Sequence, residues 1–277
     1  MTIIDSPPSA QYLIYMTPRT GSSWLRGILA DSGVLGWPEE WLNRSQLEQM
    51  KAKHGAATVI DLVAALRERG QTPNGVFGLT LNWSDVAAYW PSLASNKKSK
   101  FFDHFPADQT TAFSLCRKDI VAQAVSIFKV RHTGVFDSLA WTDGARKEGD
   151  SKLQYSGEKI KEEVDRIVEH EQAMDAYFTA YGIDPIRFVY EDIVQVDPVK
   201  LALFFLEQVC PDALKVALTD DLTTEISSRI STKPARHQKI ATRLNAEFCD
   251  KFRRDHREYI QAIDGARAAL FEQVHPF

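Results

Sequence analysis

Arg19, Thr20, Gly21, Ser22, Ser23 and Trp24 set a permanent cation, three hydroxyls and a glycine directly after the apolar stretch Tyr12-Leu13-Ile14-Tyr15-Met16. The chemistry open to such a run is anion binding. A short buried strand that turns through Pro18 and Gly21 into a helix carrying Trp24, Leu25, Ile28 and Leu29 aims unpaired backbone N–H groups at one point. The positive end of the helix dipole falls on the same point. Arg19 adds a fork of donors that cannot be deprotonated, and the hydroxyls add more. The plainer alternative is an ordinary connection with a serine N-cap. The run is not a Walker A sequence, which needs a Lys after its second Gly, and it is not G-x-G-x-x-G.

Other residues suggest how such a site could be used. Glu39 and Glu40 follow Pro38 on a short segment after the first helix, where a carboxylate serves as general base or lies in water. Trp37 beside them could stack on a sugar, bind an aromatic or lipid acceptor, or belong to the core. Arg117 ends the apolar run Ala112–Cys116, and open α/β sheets bind ligands at the C-terminal ends of their strands. Ser126, on the helix that follows, reaches the same ligand only if that helix passes beside it; otherwise it is a packing residue. Arg229, Lys233, Arg236, Lys239 and Arg243 follow one another with no acidic residue between them. That stretch is a solvated basic face or a loop that closes over an anion.

Together these motifs resemble a known family. A cation before Gly-Ser-Ser-Trp is similar to the 5′-phosphosulfate loop of sulfotransferases that use 3′-phosphoadenosine 5′-phosphosulfate (PAPS). The Arg form, followed by Gly36-Trp37-Pro38-Glu39-Glu40-Trp41, resembles the bacterial trehalose sulfotransferase family. Thr72–Gly78 looks like its next motif and Arg117–Ser126 like its 3′-phosphate motif. Phe188–Asp192 and Phe252–Asp255 match more loosely. The resemblance implies PAPS as co-substrate, held by Arg19, Thr20, Gly21, Ser22, Ser23 and Trp24 and by Arg117 and Ser126, and it makes Glu40 the general base. Arg236 of the basic stretch is assigned to the nucleotide. Arg19 stabilises charge on the leaving phosphate, because an arginine cannot act as the acid. Trp37, Glu39, Glu40 and His132 are assigned to the acceptor, with His132 the next candidate base. Trp37 and Thr80 depart from the pattern of the trehalose-binding member by removing polar groups from the acceptor side, so trehalose does not follow as the substrate.

Composition narrows the alternatives. The 277 residues carry a net charge of −4 with 44% hydrophobic and 25% charged residues, enough for one domain, 1–277, with helical and loop insertions. An acidic balance argues against nucleic acid as a partner. Cys116, Cys210 and Cys249 are odd in number and far apart, which fits buried thiols in a reduced, cytoplasmic chain; no metal site is expected. The start, Met-Thr-Ile-Ile-Asp, has no basic, apolar leader, and no apolar run approaches the ~20 residues of a membrane span.

Strands are predicted at Tyr12–Met16, Val76–Leu81, Ala112–Cys116 and Ile186–Tyr190. Helices are predicted at Ser23–Ser32, Ala57–Arg69, Asp119–Arg131, Glu158–Tyr181 and Pro198–Cys210, with loops at Lys97–Lys100 and Thr133–Ser156. The alternation predicts an α/β, P-loop-like three-layer fold with a central, mainly parallel sheet flanked by helices. The leading expectation is sulfuryl transfer from PAPS to a small-molecule hydroxyl acceptor, a sugar or glycolipid among the options; a homodimer stays open. The alternatives are a P-loop kinase of a small metabolite and a non-catalytic nucleotide-binding protein of the same fold.

Overall fold

Strand β1 (Ala10–Met16) is buried from Gln11 onward. A strand covered on both faces reads as a continuous apolar run, not an alternating one. The computed structural model describes residues 8–89, 104–134, 152–210, 220–232 and 242–277. β1 pairs in parallel with β2 (Val76–Asn82) on one side and β3 (Thr110–Cys116) on the other, and β4 (Ile186–Val189) adds beyond β3. The order β2-β1-β3-β4 makes β1 and β3 neighbours, so the loops at their C-terminal ends lie side by side.

Eleven helices surround this sheet among the described residues. They are α1 (Ser22–Ser32), α2 (Leu47–His54), α3 (Val59–Arg69), α4 (Trp83–Tyr89), α5 (Ile120–Thr133) and α6 (Gly157–Tyr181), followed by the single turn α7 (Tyr190–Ile193). The remainder are α8 (Pro198–Val209), α9 (Asp220–Ser231), α10 (Arg243–Asp255) and α11 (Arg257–Glu272). Tyr12, Ile14, Phe113 and Phe188 face α1, α8 and α9 on one side of the sheet. Leu13, Tyr15, Leu79 and Leu81 face α2, α3, α4 and the second half of α6 on the other. A third cluster joins α5, the first half of α6 and α10 through Phe128, Ile160, Ile167, Phe248 and Phe252. The three-layer α/β expectation holds.

The free edge of β2 is covered by the segment that carries the two glutamates. Thr80 N–H donates to Glu39 O at 3.2 Å, and Trp37 N–H donates to Gly70 O at 3.3 Å. Such cover removes the pairing hazard of an open edge. Gly36, at φ +69, permits the approach: a Cβ there would come within 2.9 Å of Gly78 N and Val76 O.

The four strands and five helices expected from the sequence are present, with ends displaced by a residue or two. Tyr190 is a correction, since it opens α7 instead of ending β4. Helices α2, α4, α9, α10 and α11 were not expected. Arg229 therefore sits on α9, and Arg243 opens α10, instead of both belonging to one loop. Lys233, Arg236 and Lys239 lie outside the described residues, as do the expected Lys97–Lys100 loop and residues 135–151 of the Thr133–Ser156 loop.

Candidate active site

The turn between β1 and α1 is locked from within and from α5. Thr20 Oγ1 donates to Thr17 O at 3.1 Å, and Gln123 Nε2 donates to Thr17 Oγ1 at 2.9 Å and to Pro18 O at 2.7 Å. Gln123 is fully buried, and its Oε1 finds no partner among the described residues. Arg19 is the only non-glycine at positive φ among them, at 64°, a conformation kept only where its surroundings enforce it. Gly21 caps α1 in the left-handed region, at φ 84° and ψ 11°. The serine N-cap alternative is not what forms: no side chain caps α1, and no acidic residue stands in its first turn. The helix therefore presents its dipole and first N–H groups to the loop without an internal counter-group. The ring of Tyr190 packs on Gly21 where a Cβ would otherwise stand, and Trp24 meets that ring edge-on at 6.3 Å.

Arg117 and Ser126 adjoin this loop. Arg19 Nε donates to Ser126 Oγ at 3.0 Å, and Arg117 Nη1 donates to Arg19 O at 3.3 Å. The Arg117 guanidinium also lies 5.4 Å from the centre of the Tyr190 ring and 3.4 Å from Glu191 Oε1. Glu191 accepts from the N–H groups of Lys118 (2.9 Å) and Asp119 (3.2 Å), pinning the turn that carries Arg117. From the other side Arg267, on α11, donates to Arg117 O at 2.7 Å and to Lys118 O at 3.2 Å. Arg267 also forks onto both oxygens of Glu171 at 2.8 Å, and both side chains are buried. Burial pushes the Glu171 carboxyl up, opposed by its bonds to Arg267.

On the acceptor side, Thr80 is 1% exposed, and its Oγ1 donates to Pro38 O at 2.6 Å. Thr80 is thus a clamp on the Pro38–Glu40 segment, and it also lines the pocket beside Glu40. Trp37 is half-buried, stands outside the three hydrophobic clusters, and accepts through its carbonyl from Trp41 Nε1 at 3.0 Å.

Adjacent acids are expected to diverge, but both reach one arginine. Arg26, on α1, pairs through Nη1 with Glu39 and through Nη2 with Glu40 at 3.3 Å. The same Nη2 donates to Ser23 Oγ at 3.1 Å. Glu40, and not Glu39, lines a small open pocket of about 340 Å³, solvent at its mouth included, with Leu42, Val59, Asn82, Asp85 and Val86. Burial, with Glu40 as the second cause, pushes the Asp85 carboxyl up to about 6.

Two residues singled out in the sequence stand away from this group. His132 ends α5, about 9 Å along the helix from Ser126. Its Nδ1 donates to Phe128 O at 2.8 Å, and its Nε2 faces Lys159 Nζ at 3.3 Å. Arg229 pairs with Glu225 at 2.7 Å beside Gly33, the far end of α1 from the loop. Arg236 lies outside the described residues.

Residues 11–255 match the sequence pattern described as Stf0 sulphotransferase. The chain belongs to that family. Membership makes it a PAPS-dependent transferase. The trehalose 2-sulfotransferases of Mycobacterium tuberculosis and Mycolicibacterium smegmatis are 25% and 24% identical to this sulfotransferase over 209 residues, 65% of this chain and 76% of each relative. The sulfotransferase domain from the Synechococcus PCC 7002 olefin synthase is 16% identical and covers 91% of this chain and 97% of its own. Its TM-score of 0.36 is too low to carry an argument.

Four residues around the site of this sulfotransferase escape a sequence reading: Arg26, Gln123, Glu171 and Arg267. Gln123 lies inside the Arg117–Ser126 motif, so its position offered a signal. Glu171 and Arg267 act across elements distant in sequence, and Arg26 meets its partners only where the chain folds back after α1. Among the described residues no cluster of metal-ligating side chains occurs, and no helix is long and apolar enough to cross a membrane.

Proposed function

We propose that this sulfotransferase moves the sulfuryl group of PAPS to a hydroxyl of a carbohydrate or other small metabolite, with Glu40 as general base. The observation that carries the reading is that α1 serves both sides of the reaction. Its side-chain-free N-terminus faces the Arg19 loop, and its Arg26 holds Glu40. A nucleotide with a 5′-phosphosulfate and a 3′-phosphate suits this chemistry, because two arginines and the first N–H groups of a helix converge with Ser126 on one region. The co-substrate supplies an activated sulfuryl group, and every other contribution comes from the chain.

Sulfuryl transfer resembles phosphoryl transfer, in which charge spreads over non-reacting oxygens and the protein positions and neutralises. The N–H groups of Ser22 and Ser23 and the guanidinium of Arg19 take the 5′ side, where Trp24 N–H is already given to Gly21 O at 3.0 Å, and Arg117 with Ser126 takes the 3′-phosphate. Glu40 faces the pocket from which an acceptor hydroxyl would approach. Its carboxylate takes the hydroxyl proton as the new S–O bond forms and the bond from sulfur to the 5′-phosphate oxygen breaks, releasing 3′-phosphoadenosine 5′-phosphate with its charge held by Arg19. The kinase alternative lacks the lysine that a phosphate loop needs. Single-turnover transfer from radiolabelled PAPS to a panel of sugars and lipid alcohols tests the proposal. Glu40→Gln should lower the rate by ~10²–10⁴ while nucleotide affinity holds. Glu39→Gln should be much milder, and the reverse order would refute the assignment. Nucleotide binding without turnover on any acceptor would favour the non-catalytic protein.

A further inference from the structure

We propose that Arg26 is a positioning residue that clamps Glu40 to the start of α1. The inference rests on Glu40 as the base. Among the described residues Arg26 reaches Glu39, Glu40 and Ser23 together, through its two terminal nitrogens. Its Nε is buried with no partner among the described residues, so the two ion pairs dominate what the guanidinium does there. The side chains of Arg26 and Glu40 are 13% and 19% exposed, enclosed enough that water screens the charges only in part.

The groups around Glu40 come from three directions. Arg26 approaches from α1, Glu39 precedes it on the same segment, and Asp85 faces it from α4. Arg44 donates a backbone hydrogen bond to the Asp85 carboxylate and brings a positive charge to it. Arg26 stands against Glu40 itself, with Nη2 3.3 Å from its carboxylate. A forked guanidinium is suited to the task, since it stays charged and holds a carboxylate in a fixed plane. A base held this way keeps its aim beside the pocket it lines.

Single-turnover transfer from radiolabelled PAPS on the same acceptor panel tests the clamp in the full chain. Arg26→Gln should lower the rate by ~10–10² while affinity for 3′-phosphoadenosine 5′-phosphate holds, and Arg26→Lys, which keeps a cation, should recover part of that. In a Glu40→Gln background Arg26→Gln should cost little more, because a positioning residue acts through the group it positions. An unchanged rate in Arg26→Gln, or an equal loss with and without Glu40, would overturn the clamp. Should Arg26→Gln not fold, Arg26→Lys in the two backgrounds decides in the same way. Normal turnover in Glu40→Gln removes the base and the clamp together, whereas a crippled Glu40→Gln beside a normal Arg26→Gln removes the clamp alone.

Discussion

Replacing Gly21 with alanine strikes the loop at its most constrained point. Gly21 sits at φ 84° and ψ 11°, where a β-carbon costs about 1–2 kcal/mol in backbone sterics. The same β-carbon would overlap Cδ2 and Cε2 of the Tyr190 ring. That ring cannot retreat freely, because Trp24 meets it edge-on and the Arg117 guanidinium lies over it. Overpacking of this kind costs about 1–3 kcal/mol, so the two terms together predict a loss of about 2–5 kcal/mol. Urea denaturation of the full chain measures it as a lower midpoint at unchanged slope. Calorimetric titration with 3′-phosphoadenosine 5′-phosphate should show weaker binding as well, since moving Tyr190 disturbs both the loop and Arg117. A double-mutant cycle isolates the steric part. In a Tyr190→Ala background the ring is gone and only the backbone term remains, so Gly21→Ala should there cost about 1–2 kcal/mol. Equal costs in both backgrounds would refute the packing argument, and a neutral Gly21→Ala would refute both parts.

Two further changes probe the nucleotide side. Arg117→Ala should cost roughly 1.5–3 kcal/mol of affinity for 3′-phosphoadenosine 5′-phosphate. Adenosine 5′-phosphosulfate, which lacks the 3′-phosphate, should lose only the part due to the broken Arg117–Arg19 bond, and equal losses by calorimetry would refute the assignment. Arg267→Ala leaves Glu171 buried and uncompensated and strips donors from the carbonyls of Arg117 and Lys118. It should destabilise the chain by about 3–5 kcal/mol, read from denaturant midpoints, and Glu171→Gln, which keeps a hydrogen-bonding partner, should cost less.

What the sequence shows of this fold is what neighbouring residues decide among themselves. The continuous apolar runs at Tyr12–Met16 and Ala112–Cys116 disclose buried strands because both faces must be dry. Gly33 ends α1 in a left-handed conformation, as helix-stop chemistry anticipates. Helix α10 was not among the expected helices, although Leu244, Phe248 and Phe252 recur every four residues and Thr242 and Asn245 form a capping box. The basic stretch just before it draws attention to charge instead of period. The meeting of Arg19 with Ser126 was not legible, because it depends on β1 and β3 being neighbours. Sequence order does not say which parallel strands adjoin.

The acceptor side went unread for a different reason. Thr80, taken alone, is a polar residue on a strand, and its departure from the family pattern suggests a changed substrate surface. Its hydroxyl and its N–H are both spent on the carbonyls of Pro38 and Glu39, which is possible only because Gly36 lets the segment lie against the edge of β2. Once that segment is strapped down, Glu39 and Glu40 share the fork of Arg26, and their divergence, expected from sequence adjacency alone, gives way to convergence on one cation. The wall of this pocket is therefore shaped jointly by a backbone approach at Gly36, a buried hydroxyl at Thr80 and an ion pair from α1. Exchanging Trp37 or Thr80 singly for the residues of a trehalose-binding relative should not transfer that relative's substrate, because neither change reproduces the path of the chain between Gly36 and Glu40.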